Sequence, residues 1–527
     1  MSDRTGVVPF NGRLALLLSM AMFVLVVDTS IMNVSISAVV RDIDTTVSGV
    51  QAAIALEALV SAAFILIGGK VGELIGSKRA YVIGLVCYAV GALAMTVAQS
   101  LLPIIIFWAV IGGLGASLLL PAMQALVHGN FDGAAQTRVY AMVGASAAIA
   151  AAVGPLLGGL ITTFLSWRLA FLLEVVIIAI VLSGIKLVHE VSYTGDRHVD
   201  WVGSILSIVG MGGIVLSILV WQEGGEAVGA LLLLGILGLG GLVWWLRRRK
   251  RQRKPVLLDP DLFRMKTFRF GVSQQLLQQI ALGGTMIVLP IYLQMVLEYN
   301  ALQAGLSIAP LSLSMFGIAL LAGRRVGRRR PATLILWGFA LLAVGLLALI
   351  PLVPRVDSGW WLLGPLLIAG SGLGLLVSQL NNYTLSPISS EHVSEAAGVN
   401  SAAGSSGLSF GLAFAGAIML ASLSLVFTTM ATSSTVLPEA EQQQVATVLE
   451  NDAEVMSNTQ LAELLADQPA AIRDEVIRIN TEARPIALQI ALLIPILAAL
   501  IGLINSLRML RIPDPVPSGS GNATLSG

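Results

Sequence analysis

The chain has 527 residues, of which 56% are hydrophobic and 12% are charged, and its formal net charge is +1. A soluble protein needs about 25% charged residues to cover its surface, so this composition excludes a soluble protein and indicates a polytopic membrane protein. One cysteine and four histidines without metal-ligand spacing exclude a disulfide scaffold and a cysteine-based zinc or iron–sulfur site, and we expect no metal, no cofactor, no nucleic-acid partner and no enzymatic activity.

Fourteen apolar stretches are each long enough to cross about 30 Å of hydrocarbon as a helix of roughly 20 residues. They cover residues 14–36, 50–69, 80–98, 101–127, 139–163, 169–188, 201–221, 228–246, 270–297, 303–322, 332–352, 360–387, 398–428 and 486–507. We therefore predict an all-α polytopic membrane protein with 14 transmembrane helices.

The basic residues alternate sharply between successive loops. With the N-terminus on the cytoplasmic side, 25 of the 31 lysine and arginine residues fall on that side and six on the other. Because basic loops are retained in the cytoplasm, this distribution predicts an even number of spans and both termini inside the cell.

A basic loop follows the second span in the string GGKVGELIGSKR, and a degenerate copy with five arginines lies over 323–330. The same kind of loop at the same place in two six-span units indicates an internal repeat. The predicted units are an N-terminal six-helix bundle (1–196), an inserted helix pair (197–246), a basic cytoplasmic linker (247–269), a C-terminal six-helix bundle (270–510) and a polar tail (511–527). We interpret the run RRRKRQRK in the linker as an orientation signal and an anchor to anionic lipid.

One predicted outer loop, over 431–484, is long and acidic, with ten acids and three arginines. Its apolar residues recur at helical spacing, at Val445, Val448, Leu461, Leu464, Leu465, Ile472, Val476 and Ile479. The pattern favours either a small helical hairpin over the outer mouth or a solvated acidic loop.

The string over 68–79 resembles the loop motif of the major facilitator superfamily, G-x-x-x-[DE]-[RK]-x-G-[RK]-[RK]. The positions that match or flank this motif are Gly69, Gly72, Glu73, Gly76, Lys78 and Arg79, whereas Leu74 and Ser77 depart from it. Glycines let two helices approach closely, and an acid at a helix end can pair with a base or cap another helix. The resemblance implies a cytoplasmic gating loop that latches one conformational state.

The first and fifth spans resemble the fourteen-span drug:proton antiporter branch of that superfamily, which includes quaternary-ammonium exporters. In the first span Asp28, Ile31, Asn33 and Val34 match the motif, and Ser37 replaces its proline. The fifth span carries the antiporter-type helix bend, with Ala150 in place of one glycine, at Gly144, Gly154, Pro155, Gly158 and Gly159. A proline inside a membrane helix frees a carbonyl and permits a bend. We expect a monomer in the plasma (inner) membrane of a bacterium.

Three further departures from that branch change the charge of the first bundle. Ala109 stands where the family has an arginine associated with proton coupling, Glu57 where it has a tyrosine, and Glu174 where it has an asparagine. One lost cation and two gained acids make the first bundle more negative than the family pattern.

Asp28, Glu57 and Glu174 are the only charged residues away from the ends of the predicted spans. A charge in hydrocarbon costs roughly 2.5–3.5 kcal/mol, and all three fall in the outer half of the first repeat. We predict that they couple proton binding to substrate binding, by exchanging protons and attracting a cationic substrate. The alternative is that the two glutamates face water near the rim or pair with Arg41 or Arg168.

Other polar residues inside the spans are candidates for lining the cavity between the two halves, where such transporters bind substrate. These residues are Asn33, Gln278, Gln294, Gln379 and Asn381. Hydrogen bonding between helices is the alternative role.

These observations predict a secondary active efflux transporter that exports amphipathic, chiefly cationic, drugs or toxic compounds by alternating access in exchange for protons. Two alternatives remain open. One is an exporter of a lipid or endogenous metabolite without proton coupling, and the other is a membrane sensor that binds a ligand without transporting it.

Overall fold

The computed structural model describes residues 11–131, 133–190, 200–222, 225–252, 254, 256, 259–323, 330–353, 355, 358–385, 387–388, 393–437, 458–466 and 468–513. Within these residues the regular secondary structure is entirely helical. Most of the predicted polar tail, the arginines of 324–329, Val445 and Val448 lie outside the described residues.

Within the described residues, fifteen α-helices of seven or more residues follow one another along the chain. They are α1 (Gly12–Asp42), α2 (Val47–Ile75), α3 (Ser77–Val97), α4 (Gly113–Asn130), α5 (Gly133–Phe164), α6 (Trp167–Ser183), α7 (Trp201–Gln222), α8 (Val228–Arg251), α9 (Lys266–Ile291), α10 (Ala301–Gly323), α11 (Pro331–Leu349), α12 (Leu363–Leu385), α13 (Val393–Thr432), α14 (Asn458–Leu464) and α15 (Ala470–Met509). One α turn (Leu101–Pro103) and a π-helical stretch (Ile104–Gly112) lead into α4, and a second π-helical stretch (Tyr292–Val296) follows α9.

Short polar residues begin several of these helices. The Asn11 side chain accepts the N–H of Leu14 at 3.1 Å, and the Thr46 hydroxyl accepts the N–H of Gly49 at 3.0 Å. Ser166 caps α6 in the same way. Such caps satisfy amide groups that the start of a helix leaves unpaired, so these boundaries follow from local sequence.

In the part of the chain that the structure describes, thirteen helices are long and apolar enough to cross a membrane. The predicted sixth span corresponds to α6, an apolar helix of 17 residues. At about 1.5 Å per residue, α6 is about 26 Å long, which is at the short end for a span. The all-α polytopic fold is therefore confirmed. Of the fourteen predicted spans, thirteen correspond to helices long and apolar enough to cross a membrane.

The helices from α1 to α6 pack among themselves, as do those from α9 to α15. The two sets meet directly where α5 packs against α10 and where α2 packs against α13. The pair formed by α7 and α8 lies beside this seam, because α7 packs against both α2 and α13.

Three hydrogen bonds between the two sets lie at one end of the molecule, near the last turns of α1 and the first turns of α2. They join Ser37 to Gln294, Leu302 to Thr163 at 3.0 Å, and Ser409 to the Ala55 carbonyl at 2.9 Å. Nearer the other end of α5, a Cβ atom added to Gly144 would meet nothing within 4 Å. The two sets are therefore closed against each other at the end where α1 terminates.

The predicted outer loop over 431–484 needs correction, because its last part belongs to a membrane helix. α15 begins at Ala470 rather than at 486, and α13 continues to Thr432. Arg478 pairs with Glu475 at 2.8 Å and with Glu482 at 2.9 Å. Charge pairs three and four residues apart stabilise a helix, and they hold the added turns of α15 together.

The added turns also bury an apolar stripe. Val476 and Ile479 of α15 pack with Leu461 of α14 against Phe427 near the end of α13. The amphipathic pattern is therefore helical over Asn458–Leu464 and from Ala470 onward, whereas a hairpin over the outer mouth stays a prediction.

Candidate functional site

Asp28 lies near the middle of α1 and is fully buried. The Tyr88 hydroxyl donates to Oδ2 of Asp28 at 2.5 Å. The Nε1–H group of Trp108 lies 3.1 Å from both carboxyl oxygens. Burying a polar group costs free energy unless hydrogen bonds replace those to water. Two neutral donors therefore solvate the Asp28 carboxyl without neutralising it.

Glu57 of α2 and Glu174 of α6 are also buried, with 8% and 1% of their surface exposed. Asp28 acts electrostatically on both glutamates, and all three acids act on the Tyr88 hydroxyl. No N–H or hydroxyl group of the described residues donates to the carboxyl oxygens of Glu174, and the carboxyl group of Asp28 is within hydrogen-bonding reach of it. The structure thus gathers the three predicted acids into one cluster around Tyr88, which we call the acid cluster.

The two arginines considered as partners for the glutamates are engaged elsewhere. Arg168 forms an ion pair with Asp42, and the Nε–H of Arg41 donates to the Ser37 carbonyl at 3.1 Å. Both glutamates are buried inside the bundle rather than placed at its rim. The structure contradicts the alternative in which they face water or pair with these arginines.

Trp108 belongs to the π-helical stretch Ile104–Gly112. A π-bulge changes the direction of side chains within a helix and is frequent at functional sites. Gly91 of α3 permits a close approach, because a Cβ atom there would lie 2.9 Å from the Phe107 carbonyl oxygen. The indole ring packs edge-on against Phe171 with ring centroids 6.4 Å apart. This packing holds the ring with its N–H directed at the carboxyl.

The sequence motifs do not single out Tyr88 or Trp108. A usable signal is nevertheless present, because a tyrosine or tryptophan inside a span needs a hydrogen-bond partner. Ala109 is fully buried and brings no charge to the acid cluster. Ala109 occupies the position at which the family motif has arginine. The indole N–H of its neighbour Trp108 therefore reaches Asp28 instead.

The predicted gating loop is a tight corner between α2 and α3. α2 ends at Ile75, and Gly76 has a φ of +99°, which glycine adopts without a steric penalty. Glu190, which follows α6, accepts the N–H of Lys78 at 3.1 Å, and the Lys78 ammonium donates to the Val188 carbonyl at 2.8 Å. An anion is favourable at the start of a helix, so Glu190 anchors this corner although it lies outside the motif.

The other motif residues of the corner have simpler surroundings. Cβ atoms on Gly69 and Gly72 would make ordinary contacts at 3.5 Å and 3.4 Å. Arg79 is exposed, and the side chain of Glu73 lies outside the described part of the structure.

The bend motif of α5 packs against α1 on one face. A Cβ atom on Gly154 would lie 2.5 Å from Cβ of Ser30, and one on Gly158 would lie 2.9 Å from Cα of Ile31. These separations are too short for a larger side chain, so the two glycines set the distance between α5 and α1.

The same motif meets the second set of helices on its other face. A Cβ atom on Gly159 would lie 2.8 Å from Cα of Leu302 in α10. The carbonyl of Pro155 lies directly against Gly305 of α10. Gly144, in contrast, faces open space. The bend therefore forms part of the closed seam between the two sets of helices.

The five polar candidates for the cavity are not gathered at one place. Gln294 accepts the Ser37 hydroxyl at the seam, and the exposed Asn381 accepts Nδ2–H of Asn400 at 2.7 Å. The three others are buried in separate helices and are Asn33, Gln278 and Gln379. Their role in lining a cavity stays a prediction. No group of three or more His, Cys, Asp or Glu side chains within the described ranges is arranged to hold a metal ion.

Two sets of membrane helices closed against each other at one end, with a buried acid cluster in the first set, define a multi-span membrane transport protein. The chain belongs to the Major Facilitator Superfamily, whose family model matches residues 18–412. It is therefore a membrane transporter that handles small molecules, not an enzyme.

Several bacterial proteins are similar to it over most of their length. The multidrug resistance protein Stp of Mycobacterium tuberculosis (strain CDC 1551 / Oshkosh) is 29% identical over 411 residues, which cover 77% of this chain and 75% of Stp. The puromycin resistance protein pur8 of Streptomyces alboniger is 29% identical over 391 residues, covering 72% and 76% of the two chains. The probable actinorhodin transporter of Streptomyces coelicolor is 25% identical over 468 residues, covering 87% and 79%.

Solved structures share the fold at low sequence identity. A bacterial homolog of the human lysosomal transporter Spinster, in an inward-facing and unoccupied conformation, superposes with a TM-score of 0.59 at 13% identity over 96% of this chain and 99% of that one. A POT family transporter in complex with 5-aminolevulinic acid gives a TM-score of 0.59 at 12% identity over 94% and 96%.

Proposed function

We propose that the protein is a secondary active efflux transporter that exports amphipathic drugs or toxic compounds, with a preference for cations, in exchange for protons. The names of Stp, pur8 and the actinorhodin transporter support export of drugs and antibiotics. We place the protein, as a monomer, in the plasma (inner) membrane of a bacterium, with both termini in the cytoplasm as the distribution of basic residues indicates.

The acid cluster is the observation on which proton exchange rests. Asp28, Glu57 and Glu174 are buried, and Asp28 lies close enough to act electrostatically on each of the two glutamates. Within the described residues no lysine or arginine pairs with them, and the two side chains that donate to Asp28, Tyr88 and Trp108, are neutral. Like charges in a medium of low polarity repel strongly, so the cluster favours states in which protons or a bound cation reduce its negative charge.

Competition between protons and the cationic substrate for the acid cluster couples the export of substrate to the entry of protons. A cationic substrate that reaches the cluster lowers the cost of losing the proton of Asp28. A returning proton in turn lowers the affinity of the cluster for the cation. Such mutual exclusion produces exchange when only the loaded protein changes conformation, because binding of either ligand opposes binding of the other.

The closed seam between the two sets of helices supports transport by alternating access. With the N-terminus in the cytoplasm, the end at which α1 terminates is the outer end, so the conformation described is closed to the outside. Outward opening then requires separation of α5 from α10 and of α2 from α13. In this orientation the corner held by Gly76, Lys78 and Glu190 is at the cytoplasmic end, and we propose that it acts there as the gating loop.

The experiment is transport of ethidium, an amphipathic cation, by protein reconstituted into liposomes with and without an imposed pH gradient. Asp28→Asn keeps a hydrogen-bonding side chain of the same size but removes the exchangeable proton, so ethidium accumulation driven by the pH gradient should fall to background. The matched control is Asp44→Asn, because Asp44 is exposed beyond the end of α1 and lies outside the cluster. Wild-type transport by the Asp28 variant would refute proton exchange at this site.

Ala109 favours a second candidate function, the export of a lipid or endogenous metabolite without proton coupling. This residue is buried beside Trp108 and supplies no cation where the family pattern has an arginine. The two functions differ in one measurement, since an uncoupled exporter would move its substrate at the same rate with and without the pH gradient.

A further inference from the structure

α8 differs from the other membrane helices in how little of it is covered. Only 11% of its apolar window is buried inside the protein, the smallest share among the thirteen candidate spans. Leu233, Leu237 and Trp244 follow one another at helical spacing, and each is more than half exposed. In a membrane protein such a face contacts lipid acyl chains, because burying apolar surface away from water is favourable.

The same face ends in arginine side chains. Arg248 follows Trp244 by four residues and Arg251 follows Arg248 by three, which keeps all three on one side of the helix. The Arg248 guanidinium carbon lies 5.2 Å from the centre of the Trp244 ring. Arg247, Arg248 and Arg251 are exposed, and no acidic side chain of the described chain forms a salt bridge with them.

The neighbouring cations of this helix are used differently. Arg249 lies 3.5 Å from the buried carboxylate of Asp200, and Lys250 pairs with Asp259 and with Asp261 at 3.0 Å. The hydrogen bond from Lys250 holds the pKa of Asp261 below its usual range. These internal pairs fix the end of α8 to the chain around it and leave the other three arginines directed outward.

We propose that this surface binds the anionic head group of a phospholipid. Arg247, Arg248 and Arg251 contact the phosphate, and the acyl chains lie along Trp244, Leu237 and Leu233. Arginine suits this ligand, since its planar guanidinium donates two parallel hydrogen bonds to phosphate oxygens. The apolar face continuous with the cations identifies a membrane lipid as the occupant rather than a soluble phosphate. The proposal does not depend on proton exchange at the acid cluster.

The site lies where a lipid could influence transport. α8 packs on α7, and α7 contacts both α2 and α13 across the seam. A lipid held on α8 therefore stabilises the position of the helix pair against both sets of helices.

The test is native mass spectrometry of delipidated protein titrated with phosphatidylglycerol or phosphatidylcholine. The wild type should retain phosphatidylglycerol preferentially. Each arginine replaced by glutamine should weaken that retention about fivefold, which corresponds to about 1 kcal/mol per basic residue near an anionic lipid. The wild type is compared with a triple variant that carries Arg247→Gln, Arg248→Gln and Arg251→Gln.

A control with the same loss of charge is available in the chain. Arg13, Arg508 and Arg511 are exposed at or just beyond other helix ends, which the distribution of basic residues predicts on the same side, and replacing all three with glutamine should leave retention of phosphatidylglycerol unchanged. An equal loss in both triple variants would overturn the proposal, because net charge alone would then explain binding. Displacement of the lipid by millimolar inorganic phosphate would also overturn it.

Two single variants keep the test decisive if the triple variant does not fold. Arg248→Gln should lose about fivefold in retention of phosphatidylglycerol. Trp244→Ala should weaken retention of phosphatidylglycerol while leaving all the cations in place. Wild-type retention by both single variants would contradict the assigned site.

Discussion

Replacing Gly159 with alanine tests the seam between the two sets of helices. The added Cβ atom would lie 2.8 Å from Cα of Leu302, whereas ordinary van der Waals contacts begin at 3.4 Å. α10 must therefore move away from α5 by at least about 0.6 Å, and such overpacking of a well-packed interface costs typically 1–3 kcal/mol. Because the contact exists when the seam is closed, the variant should disfavour the closed state by about 5- to 150-fold.

The assay is the distance between spin labels placed at Asp44→Cys and Arg355→Cys, with Cys87 replaced by alanine. Both labelled positions are exposed at the closed end, so Gly159→Ala should shift the distance distribution toward larger separations and slow ethidium transport. Gly144→Ala is the matched control on the same helix, because its Cβ atom meets nothing within 4 Å. Unchanged distances in the Gly159 variant would refute the role of this contact in closing the seam.

Three further substitutions have definite expected outcomes. Trp108→Phe keeps an aromatic ring against Phe171 but removes the N–H that reaches Asp28, and a hydrogen bond to a charged group contributes about 1.5–3 kcal/mol, so ethidium transport in liposomes should fall at least about tenfold. Gly76→Ala places an L-residue in a left-handed conformation at a cost of roughly 1–2 kcal/mol, so the thermal midpoint should drop by a few degrees. An unchanged midpoint would mean that the corner between α2 and α3 can relax. Arg478→Gln removes two ion pairs of about 0.2–0.5 kcal/mol each, so amide exchange at the start of α15 should accelerate by less than about fivefold, and a larger effect would show that more than these pairs holds those turns.

Local features of the sequence predict the helices well. Apolar runs of span length and polar caps such as Asn11 and Thr46 are properties of short segments, so thirteen of the predicted spans reappear as helices of membrane length. The start of α15 is missed because Arg478 and its acidic neighbours read as a solvated loop until their helical pairing is considered.

The sequence predicts the members of the acid cluster but not their common location. Asp28, Glu57 and Glu174 stand out because charges inside apolar runs are costly. Their common location depends on how α1, α2 and α6 pack, and no local pattern encodes that packing. The sequence does not predict the role of Trp108 for the same reason, because that role depends on the π-helical stretch that directs its N–H toward Asp28.

Pairing between residues far apart in the chain also determines the contacts of the corner between α2 and α3. Glu190 reaches Lys78 across more than a hundred residues of chain. A motif defined by contiguous positions cannot contain such a partner. The structure therefore adds to the motif the residue that anchors it.

The central claim is that a proton and a cationic substrate compete for the acid cluster, and proton release on substrate binding tests it most directly. Ethidium is added to purified protein in weakly buffered detergent solution, and a pH-indicator dye records the protons released. The account predicts release of about one proton per bound ethidium in the wild type and in Asp44→Asn, because a univalent cation displaces one proton when binding of the two is mutually exclusive. It predicts no release in Asp28→Asn. Ethidium binding without proton release in the wild type, or equal release in the Asp28 variant, would contradict it.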